Sequence, residues 1–241
     1  MEYNADLTKT RQIVRVGPAG REQVEDVLLR EDRWRLLCDG NPIATHNCLS
    51  LGLEQMAVGQ LCYRGIIRSA DEIDSVTVDD ARKEIRVRLR EADPLQETRT
   101  RVEAEAEAGF RAGDIHRLQS IFNKRCGLFR YTGSAHSCAL ADADGVLCYF
   151  EDVARHNAMD KVLGEFLLRK MDANGKALFF SGRLALDMLE KSIATGVKVL
   201  VSPGAPTLAA VEAAEARDIT LLGFVRPDNI NIYTGPRRVT D

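Results

Sequence analysis

Hydrophobic and polar positions divide the chain into stretches of different character. Residues 1–23, through Gly17-Pro18-Ala19-Gly20, show no sustained period and are expected to form a tail or an edge segment laid on something else. From Trp34 the pattern sharpens. Trp34-Arg-Leu-Leu-Cys38, the turn Asp39-Gly40-Asn41 and Pro42-Ile-Ala-Thr-His46 predict a strand hairpin. Leu53, Met56, Ala57, Gln60 and Leu61 then recur at helical spacing, with Gly65 where such a helix would end. Strands over 75–78 and 84–89 flank the polar turn 79–83, so the first third reads as a ββαββ unit, an α+β domain.

Residues 91–109 break the pattern. Pro94 and the run Glu103-Ala-Glu-Ala-Glu-Ala bring charge and few large apolar groups, which predicts a linker or an exposed arm. Past Phe110 a helix over 115–124 precedes an alternation of strands and helices. The strands are expected at 146–153, 177–180, 197–201 and 220–225, and the helices at 158–171, 185–195 and 208–217. Repeats of this length imply an α/β layer with largely parallel strands. Met159, Val162, Leu163, Phe166 and Leu167 form one apolar stripe, with Asn157 as the expected N-cap and Asp160 in the first turn. The reading divides the chain at 110/111 into a smaller α+β domain, ending in the arm at about 91–110, and an α/β domain over 111–241.

Composition narrows the function classes. With 241 residues, 45% apolar and 29% charged, the chain is long enough for a large core and ordinary for a globular protein. Its 33 Lys and Arg against 36 Asp and Glu leave a net charge of -3, so no global basic field favours nucleic acid as a partner. No run approaches the ~20 apolar residues of a membrane span, and residues 1–20 lack the apolar middle of a signal peptide. A cytoplasmic protein without a membrane partner is expected. The six cysteines include no Cys-x-x-Cys pair, which points to neither a disulfide framework nor a thiolate zinc site. Neither His-x-Glu nor Pro-Cys-x-x-Cys occurs, so zinc deaminase chemistry is not expected, nor any other metal site.

In α/β sheets ligands collect beyond the carboxyl ends of strands, in loops leading into helices. Three such loops carry polar and small residues: Glu151-Asp152-Val153-Ala154-Arg155-His156-Asn157, Ser181-Gly182-Arg183, and Ser202-Pro203-Gly204-Ala205-Pro206-Thr207. Ser-Gly-Arg before a helix offers close backbone approach, N–H donors and a guanidinium, the chemistry of a phosphate site. Thr207 at a helix start offers the same, or simply a cap. His156 beside Glu151 and Asp152 suggests an acid or base, and Tyr131-Thr-Gly-Ser-Ala-His136 repeats the theme of a small-residue turn leading to an imidazole. A Ser181, His156, Asp152 hydrolase lacks any Gly-x-Ser-x-Gly elbow. Three loops aimed one way would build a nucleotide-sized cleft.

Residues 151–162 (Glu-Asp-Val-Ala-Arg-His-Asn-Ala-Met-Asp-Lys-Val), Ser181-Gly-Arg183, Ser202-Pro-Gly-Ala-Pro-Thr207, Gly223-Phe-Val-Arg226 and Asn231-Ile-Tyr-Thr234 together resemble the FdhD family of formate dehydrogenase accessory proteins, or FdhD sulfurtransferases. Arg64-Gly-Ile-Ile67 and Thr132-Gly-Ser-Ala-His136 add weaker support. The resemblance runs from about residue 31 to 239. It implies a cytidine-deaminase-like, three-layer α/β C-terminal domain without the zinc chemistry. It also implies a homodimer that binds the molybdenum bis(molybdopterin guanine dinucleotide) cofactor and hands it to formate dehydrogenase, with a cysteine desulfurase as a further partner.

On that resemblance the cofactor-binding stretch falls on Phe224, Val225, Arg226, Pro227, Asp228 and Asn229, joined by Ser181, Gly182, Arg183, Ala205, Pro206, Thr207, Arg155 and His156. Family members carry a Cys-Gly-x-Cys-Gly loop whose cysteine takes sulfur as a persulfide. Here the matching region, 91–113, contains no cysteine. A sulfur relay needs a thiolate. Cys126, before Gly127, and Cys138, two residues from His136, are the substitutes in view if exposed beside a base, against the usual burial of free cysteines; with His156 they complete the catalytic candidates. The alternatives are an independent enzyme using the same cleft, with His156 and Glu151 or Asp152 as acid and base, and an idle paralogue that only pairs with a relative.

Overall fold

The computed structural model describes residues 6–91 and 109–241. The sequence between them, with most of the expected arm at 91–110, lies outside the described residues. The chain opens on a ribbon, β1 (Thr8–Gly17) and β2 (Gly20–Leu29), paired over ten rungs. This differs from the tail expected over 1–23, and the reason is physical. Both ribbon faces are largely solvated, so no buried face imposes an apolar period, and Val14 and Val16 are exposed.

A four-stranded sheet in the order β4-β3-β6-β5 follows, from β3 (Asp32–Cys38), β4 (Asn41–Cys48), β5 (Ile73–Asp79) and β6 (Glu84–Leu89). Trp34, Leu36, Ile85 and Val87 alternate with arginines along β3 and β6. Their buried face joins the apolar side of α1 (Leu53–Tyr63), which ends before Gly65 as its pattern predicts.

The second half begins with β7 (Phe110–Arg111), which pairs with the C-terminal β14 (Val239–Thr240). Next come α2 (Ala112–Arg125), α3 (Gly127–Thr132), β8 (His136–Ala141), β9 (Val146–Asp152) and α4 (Arg155–Leu168). Then follow β10 (Ala177–Phe180), α5 (Leu186–Ile193), β11 (Val199–Val201), α6 (Leu208–Ala216), β12 (Thr220–Arg226) and β13 (Asn229–Thr234). The six-stranded sheet runs β13-β12-β11-β10-β8-β9.

Within this six-stranded sheet only the β10–β11 and β11–β12 contacts are parallel, which corrects the expectation of a largely parallel sheet. Two tight reversals account for this. The turn closed by Asp142 N donating to Gly145 O joins β8 to β9, and Pro227-Asp228 joins β12 to β13; connections so short allow only antiparallel pairing.

Helix α2 covers one sheet face through Ile115, Leu118 and Phe122, which meet Ala139, Phe179 and Val201. The other face, with Leu140, Leu178 and Leu200, packs on α4 and α5, giving three layers. Two glycines let the halves touch. A Cβ on Gly59 of α1 would lie 2.0 Å from the Asp160 carbonyl oxygen, and one on Gly164 of α4 would lie 1.8 Å from that of Gln55. The helices therefore approach backbone to backbone, and one apolar cluster runs from Trp34 through Met56 and Met159 to Leu200. Asn157 does not cap α4. Ala154 holds that place, and Asn157 is a buried residue inside the first turn.

Candidate functional site

Strand directions bring the polar loops to one edge of the large sheet. The carboxyl ends of β10, β11 and β12 share that edge. Because β8 runs against β10, with Cys138 opposite Phe180, the start of β8 lies there too, and His136 pairs with Asp152 at the end of β9. The loops that the sequence singled out at 151–157, 181–183, 202–207 and 224–229 thus converge.

Their backbones are tied to one another. Ser181 N donates to Ser137 O (3.0 Å) and Ser137 N donates to Ser181 Oγ (2.9 Å). Ser202 Oγ donates to Gly182 O (2.6 Å) and accepts from Gly204 N (2.9 Å), and Phe224 N donates to Gly204 O (3.1 Å). Thr207 N donates to Leu184 O (3.0 Å) across the Leu184–Pro206 bridge. Gly204 and Gly223 leave little room for a side chain here. A Cβ on Gly204 would lie 3.2 Å from Arg183 N, and one on Gly223 would lie 2.9 Å from the Tyr233 ring and 3.0 Å from Pro206. Phe224 holds a left-handed φ of 49°, an uncommon conformation for an aromatic residue.

Arg183, Thr207, Arg226, Pro227, Asp228 and Asn229 are exposed at this edge, while Ser181, Gly182, Ala205, Pro206 and Phe224 are half-buried and Val225 is buried. Thr207 Oγ caps α6 by accepting from Ala210 N, the simpler of its two roles. Arg155 reaches from the start of α4 to Asp187 on α5, its Nη2 2.8 Å from Oδ2. His156 Nε2 lies 3.1 Å from the same oxygen. Burial lowers the His156 pKa, with the nearby Lys191 charge acting the same way and Asp187 opposing. Burial also lowers that of His136, followed by the Arg155 charge. Both imidazoles are therefore neutral near pH 7. The carboxylate at His156 is Asp187, which the sequence reading passed over, since an acid in a helix's first turn reads as a complement to the helix dipole.

Glu151 and Asp152 serve the scaffold instead. Glu151 accepts from the backbone N–H groups of Leu128 and Phe129 at the start of α3. Asp152 is fully buried and takes hydrogen bonds from Leu49 N, Ala154 N, Asn157 Nδ2 and the equally buried Lys161 Nζ. Neither is the acid–base partner of His156, and no Ser181, His156, Asp152 relay is assembled. Among the described residues no group of three or more His, Cys, Asp or Glu is placed to hold a metal ion.

The FdhD/NarQ family model matches residues 29–109 and 94–240. The chain belongs to the FdhD/NarQ family. A relative from Shouchella clausii, "Sulfur carrier protein FdhD", is 32% identical over 99% of this chain and 98% of its own length, and one of the same name from Bacillus subtilis is 29% identical over 99% and 100%. A crystal structure of a putative formate dehydrogenase accessory protein from Desulfotalea psychrophila superposes with a TM-score of 0.84 at 26% identity, covering 97% of this chain and 99% of that one. The match spans nearly the whole of each chain.

The two cysteines considered as substitutes in an FdhD relay are not exposed. Cys126 is buried and donates its thiol to Phe122 O (3.4 Å). Cys138 is fully buried on β8, 3.6 Å from Met159 Sδ, and burial pushes its thiol well up. Both sit on apolar faces of their elements, so neither offers the exposed thiol beside a base that a substitute would need. Burial likewise raises Cys48 to about 12 and Cys148 to about 11. Cys62 alone of the six is partly exposed.

Proposed function

We propose that this chain is a formate dehydrogenase accessory protein that takes the molybdenum bis(molybdopterin guanine dinucleotide) cofactor as cargo into the four-loop cleft. Homodimer assembly and a cytoplasmic location are part of the same reading. The observation that carries it is the convergence of 151–157, 181–183, 202–207 and 224–229 on one edge of the sheet, in a chain matched to FdhD proteins from end to end.

The donors there suit a dinucleotide. Arg155 Nε is buried with no hydrogen-bond partner, and an unpaired buried donor costs roughly 1–3 kcal/mol until an acceptor arrives. Arg183 and Arg226 are exposed with no carboxylate in ion-pair range among the described residues. The N-cap residues of α4 and α5, Ala154 and Ala185, have no capping side chain, which leaves first-turn N–H groups other than Met188 N for phosphate oxygens. In this reading Arg155, Arg183 and Arg226 hold the phosphates. Phe224, pinned by its N–H bond to Gly204, offers a face for the base. The molybdenum end of the cargo supplies the chemistry after delivery.

The relatives' name, sulfur carrier, calls for a persulfide. With no cysteine between Cys62 and Cys126 and five of the six buried, the family's loop relay has no thiol in that stretch, and the reading centres on cofactor holding. Calorimetric titration with GDP tests it. One saturable site per chain is expected, weakened about tenfold or more by Arg183→Ala or Arg226→Ala, the loss of a charge-assisted contact. Absence of binding at millimolar GDP, or indifference to both substitutions, overturns the reading.

A further inference from the structure

We propose that Asp187 is a positioning residue of the cleft, holding Arg155 and His156 together so that both meet an anionic ligand at the Ser181-Gly182-Arg183 loop. The inference rests on the reading above and adds to it a residue that lies outside the matched motifs.

Three observations carry it. First, one carboxylate oxygen, Asp187 Oδ2, receives both Arg155 Nη2 at 2.8 Å and His156 Nε2 at 3.1 Å, so a single group fixes two consecutive side chains at the start of α4. Its own position is fixed in turn, because Oδ1 accepts from Met188 N at 2.7 Å. Asp187 thereby ties the first turn of α4 to the helix that follows Ser-Gly-Arg.

Second, the Arg155 guanidinium uses Nη2 on Asp187 while its buried Nε–H has no partner. Its charge is felt at His136, and a Cβ on Gly182 would stand 3.6 Å from His136 Nδ1. The guanidinium therefore lies in the corner shared by three chain segments, with donor capacity left over. A planar guanidinium anchored by one edge is preorganised to present the others to a phosphate or carboxylate.

Third, donation from His156 Nε2 to Asp187 selects the tautomer of a neutral imidazole. The proton sits on Nε2, and Nδ1 is left as an acceptor. Burial and the Lys191 charge keep this ring neutral, and Asp187 itself stays ionised. Burial acts upward on its pKa, but the Arg155 hydrogen bond and charge outweigh it, for a net lowering. All three side chains are about 40% exposed (39%, 37% and 43%), accessible enough for a ligand to reach.

The test compares wild type with Asp187→Ala and Asp187→Glu in the full chain, using GDP as the probe and the 15N shifts of His156 as a second readout that needs no ligand. In wild type the His156 proton is expected on Nε2. Asp187→Ala should give a mixture of tautomers and bind GDP about tenfold more weakly, the size of one charge-assisted contact, with its melting temperature within about 4 °C of wild type. Asp187→Glu, which restores the carboxylate, should recover most of the affinity and the Nε2 tautomer.

Wild-type affinity and tautomer in Asp187→Ala would overturn the proposal, as would a changed tautomer with unchanged affinity. A wild type that binds no GDP refutes the cofactor reading instead. The positioning claim then stands or falls on the 15N shifts alone: a mixture in Asp187→Ala restored by Asp187→Glu upholds it, and an unchanged tautomer overturns it.

Discussion

Removing the Asp152 carboxylate should unfold the protein at a much lower temperature, although the residue touches no surface. Its side chain is fully buried at the end of β9. It accepts from Lys161 Nζ at 2.5 Å, Asn157 Nδ2 at 2.8 Å, Leu49 N at 3.2 Å and Ala154 N at 3.3 Å. Asp152→Ala strands the Lys161 ammonium in the core with only Leu49 O, 3.4 Å away, as a partner. Breaking a buried pair from one side typically costs about 3–5 kcal/mol, because the remaining charge is desolvated and uncompensated.

At roughly 2–4 °C per kcal/mol for a chain of this size, the expected fall in melting temperature is on the order of 6–20 °C. The double variant Asp152→Leu/Lys161→Met removes both charges and should recover at least half of the loss. Scanning calorimetry on the three proteins decides it. A fall of less than about 2 °C for Asp152→Ala, or a double variant no better than the single, would refute the argument. The consequence for the cleft is direct, since the same carboxylate fixes Ala154 and Asn157 on either side of Arg155 and His156.

Further outcomes follow from other contacts. Gly164→Ala forces a methyl onto the Gln55 carbonyl and should lower stability by about 1–3 kcal/mol in urea unfolding, despite the better helix propensity of Ala; a stabilised variant would contradict the close approach of α1 and α4. Hydrogen bonding to Arg238, opposed by slight burial and reinforced by Arg237, holds the Asp218 carboxyl down to about 2. A depressed folded-state value means that its contribution is complete above the unfolded carboxylate value of about 3.9 and is lost as pH falls toward 2. Asp218→Asn should flatten the fall of melting temperature over that range, and an unchanged slope would count against the cluster. A thiol-specific chromophore at pH 8 should label Cys62 first and Cys48, Cys138 and Cys148 only after unfolding, whereas rapid native labelling of Cys138 would contradict its burial.

The elements best foreseen were those with one buried face. The alternation at Trp34 to Cys38 and the helical stripe at Leu53 to Leu61 gave β3 and α1 because burial selects one period, whereas the strand 177–180, buried on both faces, was legible only as a short apolar run. The β1–β2 ribbon escaped because solvent lies on both of its faces. β8 escaped for the opposite reason, since five of its six residues are buried and leave no alternation to see. The cleft loops were visible as small and polar residues between strand and helix. The partner of His156 was not, because the nearest acids in sequence, Glu151 and Asp152, are drawn to the α3 N–H groups and to Lys161, and the carboxylate that meets it comes from α5. The cysteines illustrate the same limit. Flanking residues left Cys126 and Cys138 open as exposed thiols against the usual burial of free cysteines, and the side-chain direction on each element turns both into the core.

The decisive measurement is the cargo itself. The chain would be purified from cells that make the molybdenum guanine-dinucleotide cofactor, and molybdenum and acid-released GMP would be quantified per chain for wild type and for the Arg183→Ala/Arg226→Ala variant. The four-loop cleft predicts molybdenum and GMP together in wild type and little of either in the variant. Wild type devoid of both, or equal loading of the variant, would contradict it.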